Sequence, residues 1–346
     1  MNKKIVICTL YDSVNCGTFL QAYSLKKTLE EKGFETCFLE LKNDNSKITK
    51  SSYEQKMNLK EILIKLVRKI SLQYIFKKSS KKFKTIKLSE LNNDKDIKYV
   101  VIGSDEIWNV HNKSFVHYRE YFGYNFKNKK IIAYAPSAND TSMEDLIREF
   151  GDISFKNFDK LSARDEKTKK LLERMGEKNI YEVLDPTMIV NGFEDILEKT
   201  KLKNYILVYG HEFSEKQRNE IISFSKDKGL PIISITKYFD WCDKNIIASP
   251  GKFLSYIKNA NYVITSTFHG SVFSILFEKK FAVYLNNGSK IKDLLNKFEL
   301  TKQIVNDKSI KDVLENHIDY KHVNNILNSW RIKSTNYLME SLMKGD

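Results

Sequence analysis

The chain lacks the features that mark disulfide-rich, metal-binding and membrane-spanning proteins. Its 346 residues include only four cysteines, without a Cys-x-x-Cys pair or the spacing of metal ligands. No signal peptide is recognisable, and no apolar run approaches the ~18–20 residues of a membrane span. We therefore expect a cytoplasmic protein with reduced thiols and no metal site.

Nucleic-acid-binding motifs are missing as well, although the chain is basic. The net charge is +14, and 14 Lys/Arg against four Asp/Glu between residues 41 and 90 give that stretch +10. Such charge suits nucleic acid, an anionic membrane surface or anionic substrates. No helix-turn-helix, zinc finger or aromatic RNA-binding signature accompanies it, so we expect no nucleic-acid partner.

A dinucleotide-binding fingerprint is absent too. The loop after the first predicted strand carries Asn15 and Gly17 at the start of a predicted helix, which is similar to a phosphate-binding turn. The loop does not read G-x-G-x-x-G, so it is no evidence for NAD. Close packing alone also explains Gly17.

Predicted strands and helices alternate along the whole chain. Continuous apolar runs such as residues 3–10 are typical of parallel strands buried on both faces, so the fold class is α/β with largely parallel sheets. An apolar fraction of 41% and this length allow two domains. The polar segment 188–203 suits a linker between a first domain, 1–190, and a second, 200–321. A helical segment over 322–346 ends the chain.

The basic stretch at residues 42–90 reads as a helical insertion in the first domain. Within it, residues 57–76 predict an amphipathic helix with apolar and basic faces. One interpretation is peripheral contact with an anionic membrane at its cytoplasmic face, or with a lipid-linked substrate. The other is a lid or packing helix with a solvated basic face.

A polar turn in the second half predicts an anion site around His269. Residues 262–265 read as a buried strand, 265–270 as a turn, and 271–277 as the start of an apolar helix. Such turns lie at the carboxyl ends of strands, where ligands bind, and the helix directs N–H groups and a positive dipole at them. His269 would bind the anion or move a proton. It is equally explained as a cap or a core residue.

Several other predicted strands end in polar or aromatic residues that suit a binding cleft. Asp105, Trp108 and Asn109 combine an acid, an aromatic face and an amide, which together suit a sugar. Each also has a structural explanation: Trp108 as packing, Asp105 as a helix cap, Arg164 as an ion pair with Asp165. The remaining candidates at strand ends are Asn15, Gly17, Ser104, Ser137, Asp185 and Ser266.

Six short motifs together resemble the polysaccharide pyruvyl transferase family, in that family's order and over about residues 4–285. They occupy residues 15–23, 103–109, 134–137, 161–166, 184–187 and 266–270. The resemblance implies a glycosyltransferase-B-like fold, in which two Rossmann-like domains face a cleft and the C-terminal helix packs back on the first domain. The first domain would hold the acceptor and the second the phosphate-bearing donor.

The resemblance also implies a reaction and roles for residues. The enolpyruvyl unit of phosphoenolpyruvate would be moved onto a sugar diol to form a cyclic pyruvate ketal during surface polysaccharide synthesis, on a nucleotide- or lipid-linked acceptor. No cofactor is needed in principle. His269 would be the acid or the phosphate contact, Arg164 an anion clamp and Asp105 a base or sugar ligand. Substrate-binding roles would fall to Asn15, Gly17, Thr18, Ser104, Trp108, Asn109, Ser137, Asp185, Ser266, Thr267, Gly270 and Ser271.

One position departs from the family pattern. Members often carry Arg-x-His at the second-domain loop, whereas this chain has Thr267 two residues before His269. A hydroxyl replaces a cation there. Two other functions stay open on the same scaffold: a glycosyltransferase that uses a nucleotide sugar, and a non-catalytic protein that binds a sugar or phosphate ligand.

Overall fold

The computed structural model describes residues 3–41, 59–285, 289–306 and 308–343, with side chains omitted at 59–61 and 289. The chain divides into two compact units. The first unit draws on Met1–Gln55, Ser80–Asn191 and Asn328–Asp346, and the second on Lys56–Ser79 and Gly192–Leu327.

The first unit is built on a five-stranded parallel sheet of order β3-β2-β1-β4-β5, with a short β6–β7 pair beside it. Its strands are β1 (Lys4–Cys8), β2 (Glu35–Glu40), β3 (Thr85–Lys87), β4 (Tyr99–Ile102), β5 (Lys130–Ala133), β6 (Ser162–Ala163) and β7 (Tyr181–Glu182). Its helices are α1 (Cys16–Glu31), α3 (Leu88–Asn93), α4 (Met143–Phe150), α5 (Glu166–Arg174) and α6 (Pro186–Ile189), with a 3-10 turn at Arg119–Phe122.

The second unit repeats this plan with a parallel sheet of order β10-β9-β8-β11-β12. Its strands are β8 (Ile206–Tyr209), β9 (Ile232–Ile235), β10 (Lys244–Ile246), β11 (Tyr262–Thr265) and β12 (Lys280–Val283). Its helices are α2 (Leu59–Ser80), α7 (Glu215–Lys228), α8 (Pro250–Asn259), α9 (Phe268–Leu276), α10 (Ser289–Lys297) and α11 (Ile310–Glu315), with a 3-10 turn at Thr301–Gln303.

The central strands explain why the sheets are parallel. Strands β4 and β8 are buried at every position, and in β1 only Lys4 is exposed. A strand without a polar face has to be covered on both sides, which connecting helices do in a parallel sheet. The predicted α/β class with parallel sheets is confirmed.

The last helix, α12 (Tyr320–Met343), begins in the second unit and ends in the first. In the first unit, the Tyr337 hydroxyl donates to the Ala133 carbonyl (2.8 Å), and the Ser334 hydroxyl accepts from the Leu184 amide (2.9 Å). The predicted packing of the terminal helix on the first domain is therefore confirmed. Across the described ranges, no helix is both long and apolar enough to cross a membrane.

Helix α2 confirms the predicted amphipathic helix, but it packs within the second unit although its sequence position lies within the first. The Arg68 guanidinium donates to the backbone carbonyls of Thr236 (3.0 Å), Asn245 (3.1 Å) and Ile246 (3.3 Å) at the ends of β9 and β10. The three acceptors are neutral carbonyl groups and not carboxylates. Burial of the Arg68 guanidinium lowers its pKa. The residues of the basic stretch at 42–58 lie outside the described residues.

We expect Arg68→Ala to loosen α2, because the variant loses three hydrogen bonds from a charged donor. Hydrogen exchange measured by mass spectrometry should show faster exchange over residues 59–80 and little change in α7. Lys69→Ala, at an exposed position on the same helix, is the control and should leave exchange unchanged. Equal exchange in the two variants would show that Arg68 does not hold the helix.

Candidate active site

Each sheet places its motif loops at a topological switch point. In the first unit the order β3-β2-β1-β4-β5 puts the switch between β1 and β4, and in the second it lies between β8 and β11. Chain connections leave in opposite directions there, so the carboxyl ends of the two strands open a crevice that binds ligands in this class of fold. The predicted motifs at 103–109 and 266–270 directly follow β4 and β11.

In the first unit, Asp105 is tied to the start of α1. The Thr18 hydroxyl donates to Asp105 Oδ2 (2.7 Å), and the Glu106 amide donates to Asp105 Oδ1 (2.9 Å). Asn15 caps α1, because its side-chain oxygen accepts from the amides of Gly17 (2.8 Å) and Thr18 (3.3 Å). Asn15 is exposed, and Asp105 keeps a small exposed fraction.

A second hydrogen-bond network, which the sequence analysis missed, lies beneath this contact. Gln21 is fully buried; its amide donates to the Leu10 carbonyl (2.8 Å) and its oxygen accepts from the Ser104 hydroxyl (3.1 Å). Thr9 adds a bond to the Ser104 carbonyl (3.1 Å). In the sequence, this network could have been inferred from Gln21, a polar residue at an otherwise buried helix position. The buried Ser104 therefore holds the loop, and its substrate contact stays a prediction.

Trp108, predicted to offer a ring face to a sugar, is a core residue. Its side chain has no exposed surface, and its ring lies against Phe122, Phe155 and Phe158 with centroids 4.7–6.2 Å apart. Its indole N–H donates to the Tyr121 carbonyl (2.7 Å). The structural explanation is correct for Trp108, because an aromatic cluster buries more apolar area than one exposed ring.

Asn109 and Ser137 are likewise buried and bonded within the protein. Asn109 donates to the Glu106 carboxylate (2.8 Å) and accepts from the Thr141 hydroxyl (3.3 Å). The Ser137 hydroxyl accepts from the Asn139 amide (3.3 Å). Both residues shape the loops around Asp105, and their contact with a sugar stays a prediction.

Arg164 forms a buried ion pair with Asp185. Its Nη1 lies 2.7 Å from Asp185 Oδ2, and the two side chains are 3% and 0% exposed. The other Asp185 oxygen accepts from the amide and hydroxyl of Thr187, so Asp185 caps α6. Asp165 caps α5 instead of acting as the arginine's predicted local partner. Arg164 and Asp185 thus form an internal pair, and the anion clamp at Arg164 and the ligand contact at Asp185 stay predictions.

A small aromatic hollow opens beside the first switch point. Its lining includes Thr9, Tyr11, Asp12, Phe115 and Tyr118. Burial raises the pKa of the Asp12 carboxyl above its ordinary value. The enclosed volume is about 30 Å³, room for about one water molecule, so the hollow does not enclose a sugar ring.

In the second unit, α9 begins earlier than predicted. The helix starts at Phe268, so His269 lies in its first turn and only Ser266 and Thr267 connect it to β11. Thr267 is the cap: its hydroxyl accepts from the Gly270 amide (3.0 Å) and lies 3.0 Å from the Thr265 hydroxyl. The Thr265 hydroxyl in turn donates to the Tyr209 carbonyl (2.6 Å).

Gly270 is required by this cap, because a Cβ there would lie 2.1 Å from the Thr265 hydroxyl and 2.7 Å from that of Thr267. The Gly270 amide bonds to the Thr267 hydroxyl and the Ser271 amide to the Thr267 carbonyl (3.2 Å). Both residues are buried. The Gly270 amide therefore serves the cap and the Ser271 amide the first helical bond, while the contact of these two residues with an anion stays a prediction.

His269 is half-buried at the amino-terminal end of α9. Its ring lies edge-on to Phe268 (5.3 Å between centroids) and nearly parallel to Phe273 (6.3 Å). Two aromatic neighbours restrict how the imidazole turns while leaving part of it accessible. His269 is therefore the ionisable residue of the motif at 266–270, and it is only partly exposed.

His211 and Lys237 are two further basic residues at the same edge, and the sequence analysis missed both. The His211 amide donates to the Ser266 hydroxyl (3.3 Å), so the loop after β8 touches the motif after β11. Burial, and then the charge of Lys237, lower the pKa of His211. Burial lowers the pKa of Lys237, and Lys65 of α2 lowers it further. No sequence motif marks these residues.

The described residues contain no cluster of potential metal ligands. In the described ranges, no group of three or more His, Cys, Asp or Glu side chains could hold a metal ion. The candidate groups at the two switch points are instead a carboxylate, Asp105, and a histidine, His269, with basic residues beside the latter.

We expect Arg164→Ala to lower the free energy of unfolding by about 3–5 kcal/mol, because Asp185 would stay buried without its cation. Chemical denaturation measures the loss. Glu166→Ala removes the exposed Glu166–Lys170 pair (2.6 Å) and is the control, with little change expected. An Arg164→Ala protein as stable as the control would mean that the ion pair does not support the fold.

We expect Lys237→Gln to raise the pKa of His211 towards its ordinary value. The pKa is lowered partly by repulsion from the Lys237 charge, so removing that charge makes protonation easier. An NMR titration of the imidazole resonances measures the shift. The control is Lys228→Gln on α7, where Lys228 pairs with Glu315. This variant should leave the pKa of His211 unchanged. If the pKa of His211 is unchanged in Lys237→Gln, the charge of Lys237 does not act on His211.

Solved structures that match the chain show the fold. They include a putative UDP-N-acetylglucosamine 2-epimerase from Listeria monocytogenes (10% identity, TM-score 0.54, 100% of this chain and 98% of that one). Others are the UDP-GlcNAc 2-epimerase from Neisseria meningitidis bound to UDP-GlcNAc (9%, 0.51, 100% of both chains) and the glycotransferase of kitacinnamycin (6%, 0.51, 99% and 98%). At such identities the likeness concerns the fold alone. The expected glycosyltransferase-B-like fold is confirmed.

Sequence comparison identifies the family. No curated protein sequence matches the chain. A family profile described as polysaccharide pyruvyl transferase matches residues 15–288, which is most of the chain and includes the motif loops at both switch points. The chain therefore belongs to the polysaccharide pyruvyl transferase family and is a transferase.

Proposed function

We propose that the protein transfers the enolpyruvyl group of phosphoenolpyruvate to a sugar diol, forming a pyruvate ketal for a surface polysaccharide. The observation that carries the proposal is the position of His269, a half-buried histidine in the first turn of α9 at the switch point of the second sheet. Helix N-termini attract phosphate and carboxylate groups, and phosphoenolpyruvate has both. The cytoplasmic location expected from the sequence remains a prediction.

The reaction needs an acid and a base but no net oxidation or reduction. One sugar hydroxyl gives its proton to a base and bonds to the substituted carbon of the enol. The C=C double bond becomes a single bond, and an acid delivers a proton to the methylene carbon, which becomes a methyl group. A second hydroxyl then displaces the phosphate at the same carbon, and its proton leaves with the phosphate or a base. Two C–O bonds to the sugar form and one C–O bond to phosphate breaks. General acid–base catalysis by positioned side chains suits both steps.

On the donor side, basic residues from other elements offset the missing arginine of the motif. Thr267 supplies only a hydroxyl, and that hydroxyl caps α9. His211 and Lys237 follow strands at the same edge of the sheet. The charge of Lys65 lowers the pKa of Lys237 and the charge of Lys237 lowers that of His211, while Glu212 opposes both effects. An anionic donor would relieve the repulsion among them, so its binding would be favoured. We assign His269 to proton delivery or phosphate contact.

On the acceptor side, we assign Asp105 as the base. Its carboxylate accepts from Thr18 and from the Glu106 amide, which fix its position while leaving further acceptor capacity. Its small exposed fraction admits a sugar hydroxyl at one side. The buried Arg164–Asp185 pair acts as a positioning pair, because it fixes the starts of α5 and α6.

A glycosyltransferase that uses a nucleotide sugar is the second candidate. It is favoured by the solved glycotransferase of kitacinnamycin and by the epimerase bound to UDP-GlcNAc, which have this fold. The two candidates differ in the donor. Sugar transfer from a nucleotide sugar without phosphoenolpyruvate would support the second and exclude the first.

We expect phosphoenolpyruvate to stabilise the protein against heat, and His269→Ala to lose that stabilisation together with turnover. A ligand that binds only the folded state adds about 2.7 kcal/mol at a hundred times its Kd, and loss of a general acid lowers kcat by about 10²–10⁴-fold. Thermal melts with phosphoenolpyruvate, free phosphate and nucleotide sugars measure the first effect, and release of phosphate in the presence of a sugar acceptor measures the second.

His317→Ala, at an exposed position in the second unit, is the matched control and should keep both properties. The melting temperature without ligand should be the same in both variants, since the His269 ring is only half-buried. Full turnover in His269→Ala would remove this residue from the mechanism. A shift with nucleotide sugars alone would direct the work to the second candidate.

A further inference from the structure

Helix α2 carries an outward-facing apolar stripe. We define the stripe as six exposed side chains: Ile62, Leu63, Leu66, Val67, Ile70 and Tyr74. In the described part of the chain, six of the eleven exposed large apolar residues belong to it. Leu63 is 61% exposed and Tyr74 69%. Apolar exposure concentrated on one element marks an interaction surface, whereas scattered exposed residues do not.

The orientation of the stripe is fixed by the opposite face of the helix. Arg68 and Phe76 are buried there, and Ile64, Leu72 and Ile75 are partly buried. Because Arg68 is bonded to three carbonyls of the second unit, the helix cannot rotate to bury the stripe without breaking those bonds. The spacing of three and four residues places the stripe on one continuous side.

The charges beside the stripe indicate what covers it. Lys69, Lys77 and Lys78 are exposed on the same helix. In the sequence, residues 41–90 have a net charge of +10. A second copy would bring the same positive charges against these in a symmetric contact, which disfavours a dimer. Anionic lipid head groups attract such lysines while their acyl region accepts the apolar side chains.

We propose that α2 lies flat on an anionic lipid surface, with its apolar stripe at the boundary between head groups and acyl chains. The helix has 22 residues, about 33 Å at 1.5 Å per residue, and lies along the surface instead of crossing it. If the proposed pyruvyl transfer is correct, a protein held there takes a lipid-linked acceptor. That consequence depends on the proposed function, whereas the lipid contact does not.

The test is co-sedimentation of the full-length protein with vesicles of phosphatidylcholine, with and without phosphatidylglycerol. We expect binding to the anionic vesicles, at least ten-fold weaker binding to the neutral ones, and weakening by salt. The triple variant Leu63→Gln/Leu66→Gln/Ile70→Gln should bind anionic vesicles at least ten-fold less. Charge reversal at Lys69, Lys77 and Lys78 should do the same.

The matched control is Ile147→Gln/Ile332→Gln, which removes exposed apolar side chains from α4 and α12 and should keep wild-type binding. Arg68 is left intact in all variants, because its reversal would disturb the packing of α2. Melting temperatures confirm that the variants fold.

Two results would overturn the proposal. One is equal vesicle binding by the wild type and the stripe variant, or no binding by either. The other is a wild-type dimer in solution that the stripe variant converts to a monomer, which would assign the stripe to a second copy. Vesicle binding without any response to phosphoenolpyruvate would keep the lipid contact and reject the lipid-linked acceptor of a pyruvyl transfer.

Discussion

The hydrogen bond between Thr18 and Asp105 is the contact on which the candidate site of the first unit depends. It joins the first turn of α1 to the loop after β4, across the switch point of the sheet. Gln21 and Ser104 continue the connection below it, out of contact with water. Buried polar groups of this kind are costly unless all are paired, so the network holds the two loops in one arrangement. That arrangement fixes the position of Asp105.

The second sheet solves the same problem with hydroxyls and a glycine. The Thr265 hydroxyl donates to the backbone at the end of β8 and contacts the Thr267 hydroxyl, which caps the first turn of α9. Gly270 has no side chain, so both hydroxyls fit beside it. At each switch point, several motif residues hold the loop, while Asp105 in the first unit and His269 in the second keep part of their surface exposed.

Sequence patterns predict elements well and predict the roles of motif residues less well. Strand β4 and helix α7 are evident from apolar runs and periodicity, since those patterns follow directly from burial. Whether Trp108 faces solvent or the core depends on Phe122, Phe155 and Phe158, which are distant in sequence. The pairing of Arg164 with Asp185 is likewise invisible until the fold brings them together. His211 and Lys237 belong to no motif and are found only through their shared edge of the sheet.

Helix α2 shows the limit of amphipathic patterns most clearly. Periodicity says which side chains share a face, but not which face the protein covers. Arg68 donates to three backbone carbonyls at the ends of β9 and β10, so the helix buries an arginine and turns its apolar stripe outward. The same orientation brings Lys65 close enough to lower the pKa of Lys237, which in turn acts on His211. One set of carbonyl bonds thus orients an apolar surface and places a lysine near the edge of the sheet that carries His269.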